Sequence, residues 1–154
     1  MEKENVLISA CLLSNKCRYD GKIINNELKD LLKYFNLIPF CPEVSGGLPI
    51  PRDPSEILGD KVVSIKNKDV TSFFNSGAFL AESICKEKNI HLAILKEESP
   101  SCGVYKIYDG TFSNKLIDGK GITTSRLIKA GIKVINEVEA KELLVQKENE
   151  KNNN

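Results

Sequence analysis

Short, continuous apolar runs recur along the chain, separated by longer segments of helical periodicity. The runs are at residues 6–11, 37–41, 91–96 and 133–135. A strand that is buried on both faces has this continuous apolar pattern, whereas a strand with one solvent face alternates. Such strands occur in parallel sheets whose two faces are covered by helices, and this requirement excludes most other architectures.

Four further segments carry apolar residues at the three- and four-residue spacing of an amphipathic helix. They are residues 26–35, 69–88, 123–130 and 138–146. Their alternation with the apolar runs predicts an α/β fold, with a mostly parallel, doubly wound, Rossmann-like sheet and helices on both faces. The pair Asp109-Gly110 between alternating apolar residues predicts a small hairpin, and residues 62–65 predict a brief further β segment.

The length and composition are those of one soluble domain. We expect residues 1–146 to form a single α/β domain and residues 147–154 to be a disordered polar tail. A net charge of +1 provides no field that favours nucleic acid. No apolar stretch reaches the roughly 18 residues of a membrane span. The charged N-terminus lacks the apolar core of a signal peptide, so we expect a cytoplasmic protein.

Three cysteines follow the predicted strands. Cys11 ends the run VLISAC, Cys41 ends NLIPFC, and Cys102 lies in SPSCG, seven residues past Leu95. The carboxyl ends of parallel strands meet at one edge of a sheet, where such folds bind ligands, so we expect the three thiols to converge there. Five cysteines in a reducing compartment are more typical of metal ligands or nucleophiles than of disulfides.

Three thiolates would hold a soft metal centre. Thiolates suit iron–sulfur clusters, zinc or copper, and three ligands leave one metal position open, as a catalytic site requires. Cys17 could close the set, or it could be a buried thiol. Cys85 lies on the apolar face of the helix at 69–88 and is predicted to belong to the core. The only histidine, His91, begins its strand and should lie at the opposite edge.

The segment PEVSGGLPIPRDPSEI, residues 42–57, contains four prolines and two glycines and predicts a long ordered loop. Its length exceeds that of ordinary connections, which indicates a function. Glu43 lies two residues past Cys41, where it could act as a general acid or base. The alternative is a solvated loop acid. Arg52 could anchor an anionic substrate or form a surface ion pair with Asp53 or Glu56.

Five motifs together resemble a bacterial and archaeal family long catalogued as a domain of unknown function. They are SACLLSNKCRYDG, CPEVSGGLPIPR, DVTSFFNSGA, LKEESPSCG and IYDGTF, within residues 6–138. The characterised members of the family are thiouracil desulfidases that use a [4Fe-4S] cluster. One departure is Ser14, which stands where a glycine is common.

The resemblance implies a site and a reaction. Cys11, Cys41 and Cys102 would bind three irons of a [4Fe-4S] cluster, and the fourth iron, without a protein ligand, would take the sulfur of a thiocarbonyl substrate. Glu43 matches the proton-transfer carboxylate of the family, and Ser99 matches a residue that helps to position or activate substrate and water. The expected reaction is the non-redox desulfuration of a thiolated nucleobase such as thiouracil, which gives the oxo base and sulfide.

Two other classes of function stay open from the residues alone. One is a structural zinc or other metal-binding module with Cys11, Cys17, Cys41 and Cys102 as ligands. The other is a thiol enzyme with Cys102 as nucleophile. For the desulfidase we expect a small thiolated base or nucleoside as partner, and neither a membrane nor a nucleic acid.

Overall fold

The computed structural model describes residues 2–13 and 28–153. Its strands are β1 (Glu4–Ser9), β2 (Phe35–Phe40), β3 (Ser55–Leu58), β4 (Lys61–Ser64), β5 (Leu92–Ile94), β6 (Lys106–Tyr108), β7 (Leu116–Asp118) and β8 (Lys133–Ile135). Its α-helices are α1 (Pro42–Ser45), α2 (Thr71–Glu87), α3 (Ile122–Lys129) and α4 (Glu137–Asn152), with 3-10 turns at Ala10–Leu13 and Lys29–Lys33. No helix in these ranges is long and apolar enough to cross a membrane.

Four strands form a parallel sheet in the order β2-β1-β5-β8. This confirms the predicted parallel α/β sheet. β2 is an edge strand, which is where a sheet tolerates a residue without an N–H, such as Pro39. Ser9 at the end of β1 pairs with Phe40 at the end of β2, and Ile8 pairs with Ile94 at the end of β5. Three strands therefore end at nearly the same level, on the edge where the predicted site lies.

Alternate residues of the strands enter two separate cores, one on each face of the sheet. Leu7, Ala93 and Val134 pack with residues of α2 and α3. Their neighbours Ile8, Ile94 and Ile135 pack with the 3-10 turns and with α4. Each fully buried aliphatic side chain contributes about 1.5–3 kcal/mol relative to an exposed one. The continuous apolar runs are explained by this two-sided burial, and the predicted helices on both faces are confirmed.

Two antiparallel hairpins lie outside the main sheet, β3 with β4 and β6 with β7. The β segment predicted at residues 62–65 is β4, and it therefore does not extend the main sheet. The hairpin predicted around Asp109-Gly110 is β6–β7, and its connection runs over residues 109–115. The Asp109 N–H donates to the Lys115 carbonyl, and the Asp109 carboxylate accepts from the Thr111 N–H and hydroxyl, which closes a longer loop.

The predicted helix at residues 26–35 is wrong in the part that is described. Residues 29–33 form a 3-10 turn, and Phe35 already belongs to β2. Leu31 is fully buried while Leu32 is 47% exposed, so a single short turn is enough to bury the apolar side chain. The predicted loop at 42–57 also contains α1 and most of β3.

Helix α4 is longer than the segment predicted at residues 138–146. Asn136 accepts from the Glu139 N–H, and the Glu139 carboxylate accepts from the Asn136 N–H. This capping box fixes the start of the helix, which then continues to Asn152. Residues 147–152, predicted to be a disordered tail, are helical in the structure, while the domain boundary at residue 146 stays a prediction.

Candidate functional site

A cavity of about 380 Å³ opens at the carboxyl edge of the parallel sheet. All five residues that the sequence analysis assigned to the site line this cavity: Cys11, Cys41, Glu43, Ser99 and Cys102. Its volume lies in the range of small-molecule sites. The expected convergence of the three cysteines is therefore what the structure shows, although their roles as ligands stay a prediction.

Cys11 and Cys41 are each placed by the turn that follows a strand. Cys11 lies in the 3-10 turn directly after β1, and Cys41 is the N-cap of α1, with Pro42 at the first helical position. Proline is suited to that position because its missing N–H would have no helical partner. Both thiols are half-buried, so they form the outer part of the cysteine set.

Helix α1 is held against α2 by a contact that requires a glycine. A Cβ built on Gly77 would lie 1.9 Å from the carbonyl oxygen of Pro42. Gly46, at the end of α1, has an equally close approach, since its Cβ would lie 2.1 Å from the carbonyl oxygen of Phe73. The glycine in DVTSFFNSGA therefore positions the turn that carries Cys41 and Glu43.

Cys102 is the innermost of the three cysteines and is only 4% exposed. Burial raises the pKa of its thiol to about 12, and the nearby charge of Glu43 raises that pKa further. The Cys102 N–H donates to Oγ of Ser99 at 2.8 Å. Such a thiol is neutral at physiological pH until a cation takes the place of its proton.

The loop that carries Ser99 and Cys102 is closed by the carboxylate of Glu97. Its two oxygens accept from the N–H groups of Val104, Tyr105 and Lys106 and from the side-chain amide of Asn136. Burial alone would raise the pKa of Glu97, but these hydrogen bonds outweigh it and lower the pKa below its usual value. Glu97 therefore holds both ends of the SPSCG segment together.

Glu43 stands in a chain of hydrogen bonds that leads to Ser99. Arg52 donates to Oε1 of Glu43 through Nε at 3.1 Å, and its Nη2 lies 3.1 Å from the same oxygen. The Ser101 hydroxyl donates to Oε2 at 2.9 Å. Oγ of Ser99 lies 3.0 Å from Oγ of Ser101. Because the Ser101 proton is used on Glu43, Ser99 is the donor between the two serines.

Three of these features were missed by the sequence analysis. Ser101 is 1% exposed and joins Glu43 to Ser99, yet in SPSCG nothing distinguishes it from Ser99. Arg52 was expected to bind an anionic substrate or to pair with Asp53 or Glu56, but it pairs with Glu43, nine positions away. Glu97 received no role from the sequence, where it stands in the charged stretch KEE. Only the folded loop reveals its backbone partners.

Of the remaining candidates, Cys85 and His91 do not line the cavity. Cys17 and Ser14 lie outside the described residues. Cys85 is buried in the core between the sheet and α2, as predicted, and burial raises the pKa of its thiol to about 11. His91 is exposed and is not among the described residues that line the cavity. Within the described part of the chain, the cysteines that line the cavity are therefore Cys11, Cys41 and Cys102.

The three thiols suit an iron–sulfur cluster. Thiols are soft donors that suit iron–sulfur clusters. Among residues 2–13 and 28–153, no group of three or more His, Cys, Asp or Glu side chains is close enough to hold one metal ion. A cluster places each thiolate on a different iron, so its cysteines need to surround a cavity without meeting at one point.

Three cysteines, an ion-paired carboxylate and two hydrogen-bonded serines surround one cavity of a parallel α/β domain. This arrangement is typical of a cofactor-dependent enzyme. The family model described as 2-thiouracil desulfurase matches residues 6–139. The chain therefore belongs to the 2-thiouracil desulfurase family, which confirms the resemblance inferred from its five motifs.

Two similar proteins cover nearly the whole chain. The uncharacterized protein YbbK of Bacillus subtilis (strain 168) is 39% identical over 150 residues, which cover 90% of this chain and 99% of that protein. The solved structure of the [4Fe-4S]-dependent thiouracil desulfidase TudS is 44% identical, with a TM-score of 0.86. That likeness covers 95% of this chain and 99% of the TudS chain.

Proposed function

We propose that the protein is a [4Fe-4S]-dependent desulfidase that converts a thiolated nucleobase such as thiouracil to the oxo base. Water adds at the thiocarbonyl carbon, the C–S bond breaks and sulfide leaves. No electrons are exchanged with another reactant. The observation that carries the proposal is the meeting of Cys11, Cys41, Cys102 and Glu43 at one cavity. The similarity to TudS and the family membership support it.

Cys11, Cys41 and Cys102 would hold the cluster. Each would release its thiol proton to solvent and bind an iron as the thiolate, which is how metal binding overcomes the raised pKa of Cys102. When bound with one iron lacking a protein ligand, the cluster supplies a Lewis acid that accepts sulfur. Glu43 and Ser99 line the same cavity as the three cysteines.

Glu43 and the two serines would manage the protons of the attacking water. Arg52 donates to Oε1 of Glu43 and so orients the carboxylate, while Oε2 accepts from Ser101. A proton released by water at Ser99 could then pass through Ser101 to Glu43, because each hydroxyl already points to the next acceptor. The same carboxylate would return a proton when sulfide leaves.

The substrate would be a small, uncharged base or nucleoside. Among the described residues that line the cavity, the carboxylates of Glu43, Glu56, Glu97 and Glu98 outnumber the cations Arg52 and Lys96. Both cations are paired with carboxylates. A phosphate group would meet net repulsion there, so nucleotides and nucleic acids would be poor ligands. We place the enzyme in the cytoplasm, where free thiols remain reduced.

Anaerobic reconstitution with iron and sulfide tests the proposal directly. We expect a brown protein with about four irons per chain that removes the absorbance of thiouracil and releases sulfide. Serine at Cys11, Cys41 or Cys102 should each lower bound iron, because one anchor is lost. The matched control is Cys85→Ser, which should keep the cluster. Full iron content in Cys41→Ser would contradict the ligand assignment.

The two other classes give different results in the same experiment. A zinc module would yield a colourless protein that needs Cys17, and its metal would not remove sulfur from thiouracil. A thiol enzyme would be active without metal and would be blocked by alkylation of Cys102. The raised pKa of that thiol disfavours the second class, since an attacking thiolate requires a lowered one.

A further inference from the structure

The stretch IYDGTF, residues 107–112, is a motif to which the proposed chemistry gives no role. It begins in β6 and continues into the loop before β7. Two aromatic residues of the stretch, Tyr108 and Phe112, line the cavity. Neither belongs to the cysteine set or to the hydrogen-bond chain of Glu43, so the stretch forms a separate wall of the same cavity.

Phe112 has a backbone conformation that is unfavourable for a bulky residue, with φ at +56°. Non-glycine residues with positive φ are uncommon, and asparagine accounts for many of them. Among the described non-glycine residues with positive φ, only Glu98 and Phe112 are not asparagine, and both line the cavity. Strain of this kind persists where the surroundings fix it, and it is concentrated at functional sites.

The carboxylate of Glu56 fixes this conformation. Oε1 accepts from the Gly110 N–H at 3.0 Å and from the Phe112 N–H at 3.1 Å. Glu56 is only 9% exposed, so these bonds are shielded from water. Gly110 is packed tightly as well, since its Cβ would lie 2.8 Å from the Ile57 carbonyl oxygen. The loop is therefore a rigid support for the aromatic side chain that it presents.

Tyr108 is held on the same wall. Its hydroxyl lies 3.5 Å from Oε2 of Glu98, and Glu98 itself bridges to Ile107 of β6. Both aromatic residues are half-buried, so part of each ring remains available to a ligand. An aromatic ring offers a flat apolar face, which stacks on heterocyclic bases and not on open-chain molecules.

We propose that Tyr108 and Phe112 form the specificity wall of the cavity, against which a flat, uncharged heterocyclic ring lies. This inference rests on the proposed desulfidase function and adds the part of the site that selects the substrate. Glu56 is a positioning residue that acts through the loop. The wall binds the ring equally before and during the reaction, so its loss should raise KM and leave kcat nearly unchanged.

The test compares binding with turnover in the reconstituted protein. Titration calorimetry with uracil gives the affinity for the ring without any reaction, and thiouracil kinetics give KM and kcat. Phe112→Leu keeps the apolar bulk but removes the aromatic face. We expect it to raise the Kd for uracil and the KM for thiouracil by about 5- to 150-fold, with normal iron content. Phe112→Tyr should restore both values.

Two further variants give a second test of the wall and a control. Tyr108→Leu should weaken uracil binding in the same way without touching the strained residue. Phe79→Leu is the matched control, because Phe79 is 55% exposed on α2 and does not line the cavity; its Kd should stay at the wild-type value. Unchanged uracil affinity in both wall variants would overturn the inference. A joint fall of iron content and kcat at constant KM would do the same, since it indicates a structural role.

Failure of the proposed function looks different. A wild-type protein that neither binds uracil nor consumes thiouracil would refute the desulfidase assignment itself. A wild-type protein that does both, with wall variants that behave like it, would refute only the specificity wall.

Discussion

The Ser101 hydroxyl donates a 2.9 Å hydrogen bond to Glu43 across 58 positions of sequence. This bond joins the turn after β2 to the loop after β5, the two segments that present Cys41 and Cys102. It also makes Glu43 and Ser99 parts of one network, in which Arg52 fixes the far oxygen of the carboxylate. The proton chemistry and two of the proposed cluster ligands therefore share one rigid frame.

Glu43→Gln should separate the cluster from the chemistry. Glutamine keeps the size and hydrogen-bonding reach of the side chain but cannot exchange a proton near neutral pH. We expect normal visible absorption after reconstitution and a turnover lower by about 10²–10⁴-fold. The measurement is a pair, cluster absorption and the rate of thiouracil loss. A normal cluster with a near-normal rate would remove Glu43 from the reaction.

Ser101→Ala should interrupt the relay and leave Ser99 in place. We expect turnover to fall by about 10²-fold while iron content stays normal. The exposed Ser72 on α2 provides the control, since Ser72→Ala should have wild-type kinetics. In the Ser101→Ala, Glu43→Gln double variant, the two losses should not add, because residues of one network couple. Fully additive losses would show that the serine acts independently of the carboxylate.

Gly77→Ala should disturb the site from a distance. The added methyl group meets the Pro42 carbonyl, so α1 and Cys41 must move. We expect a loss of stability of about 1–3 kcal/mol, with lower iron content, measured by urea unfolding and by iron analysis. Gly59→Ala separates this effect from backbone strain, since Gly59 has positive φ and no atom within 4 Å of its Cβ. It should lose stability but keep its iron.

Glu97→Gln should change the pH dependence of stability. The pKa of Glu97 is lower in the folded protein than in the unfolded chain. Its contribution is therefore complete above the unfolded pKa of about 4.3 and is lost as pH falls through the lower folded pKa. The free energy of unfolding of the wild type should thus exceed that of the variant most at neutral pH, and the difference should shrink in acid.

Urea midpoints between about pH 3 and pH 7 measure this difference across the relevant range. Glu142→Gln, which removes an exposed carboxylate of α4, should follow the wild type throughout. A constant gap between wild type and Glu97→Gln at every pH would contradict the assigned role of the charge.

The sequence predicted the place of the three cysteines in the fold better than the roles of the residues around them, for a physical reason. Cys11, Cys41 and Cys102 follow apolar runs, and the topology of a parallel sheet brings the ends of those runs to one edge. No long-range geometry was needed beyond this rule. The helix predicted at 26–35 failed in its described part because apolar spacing does not distinguish a long helix from one turn that buries Leu31.

Ser101, Arg52 and Glu97 could not be assigned from the sequence because their roles depend on the folded loops. The function of a serine hydroxyl depends on the direction in which it points. In SPSCG the direction of each serine is set by the turn that forms when the Cys102 N–H donates to Ser99. Glu97 is distinguished from Glu98 by the three backbone N–H groups that return to it after residue 103. Neither signal is local.

The unequal burial of the three cysteines implies an order of assembly. Cys11 and Cys41 are half-buried, whereas Cys102 is almost fully enclosed. On the proposed assignment, iron that enters from solvent would meet the two outer thiols first and the inner one last. Oxidants and alkylating reagents would follow the same route, so damage would begin at Cys11 and Cys41 while Cys102 remains reduced. Mass spectrometry of partly alkylated, cluster-free protein would reveal this sequence of events.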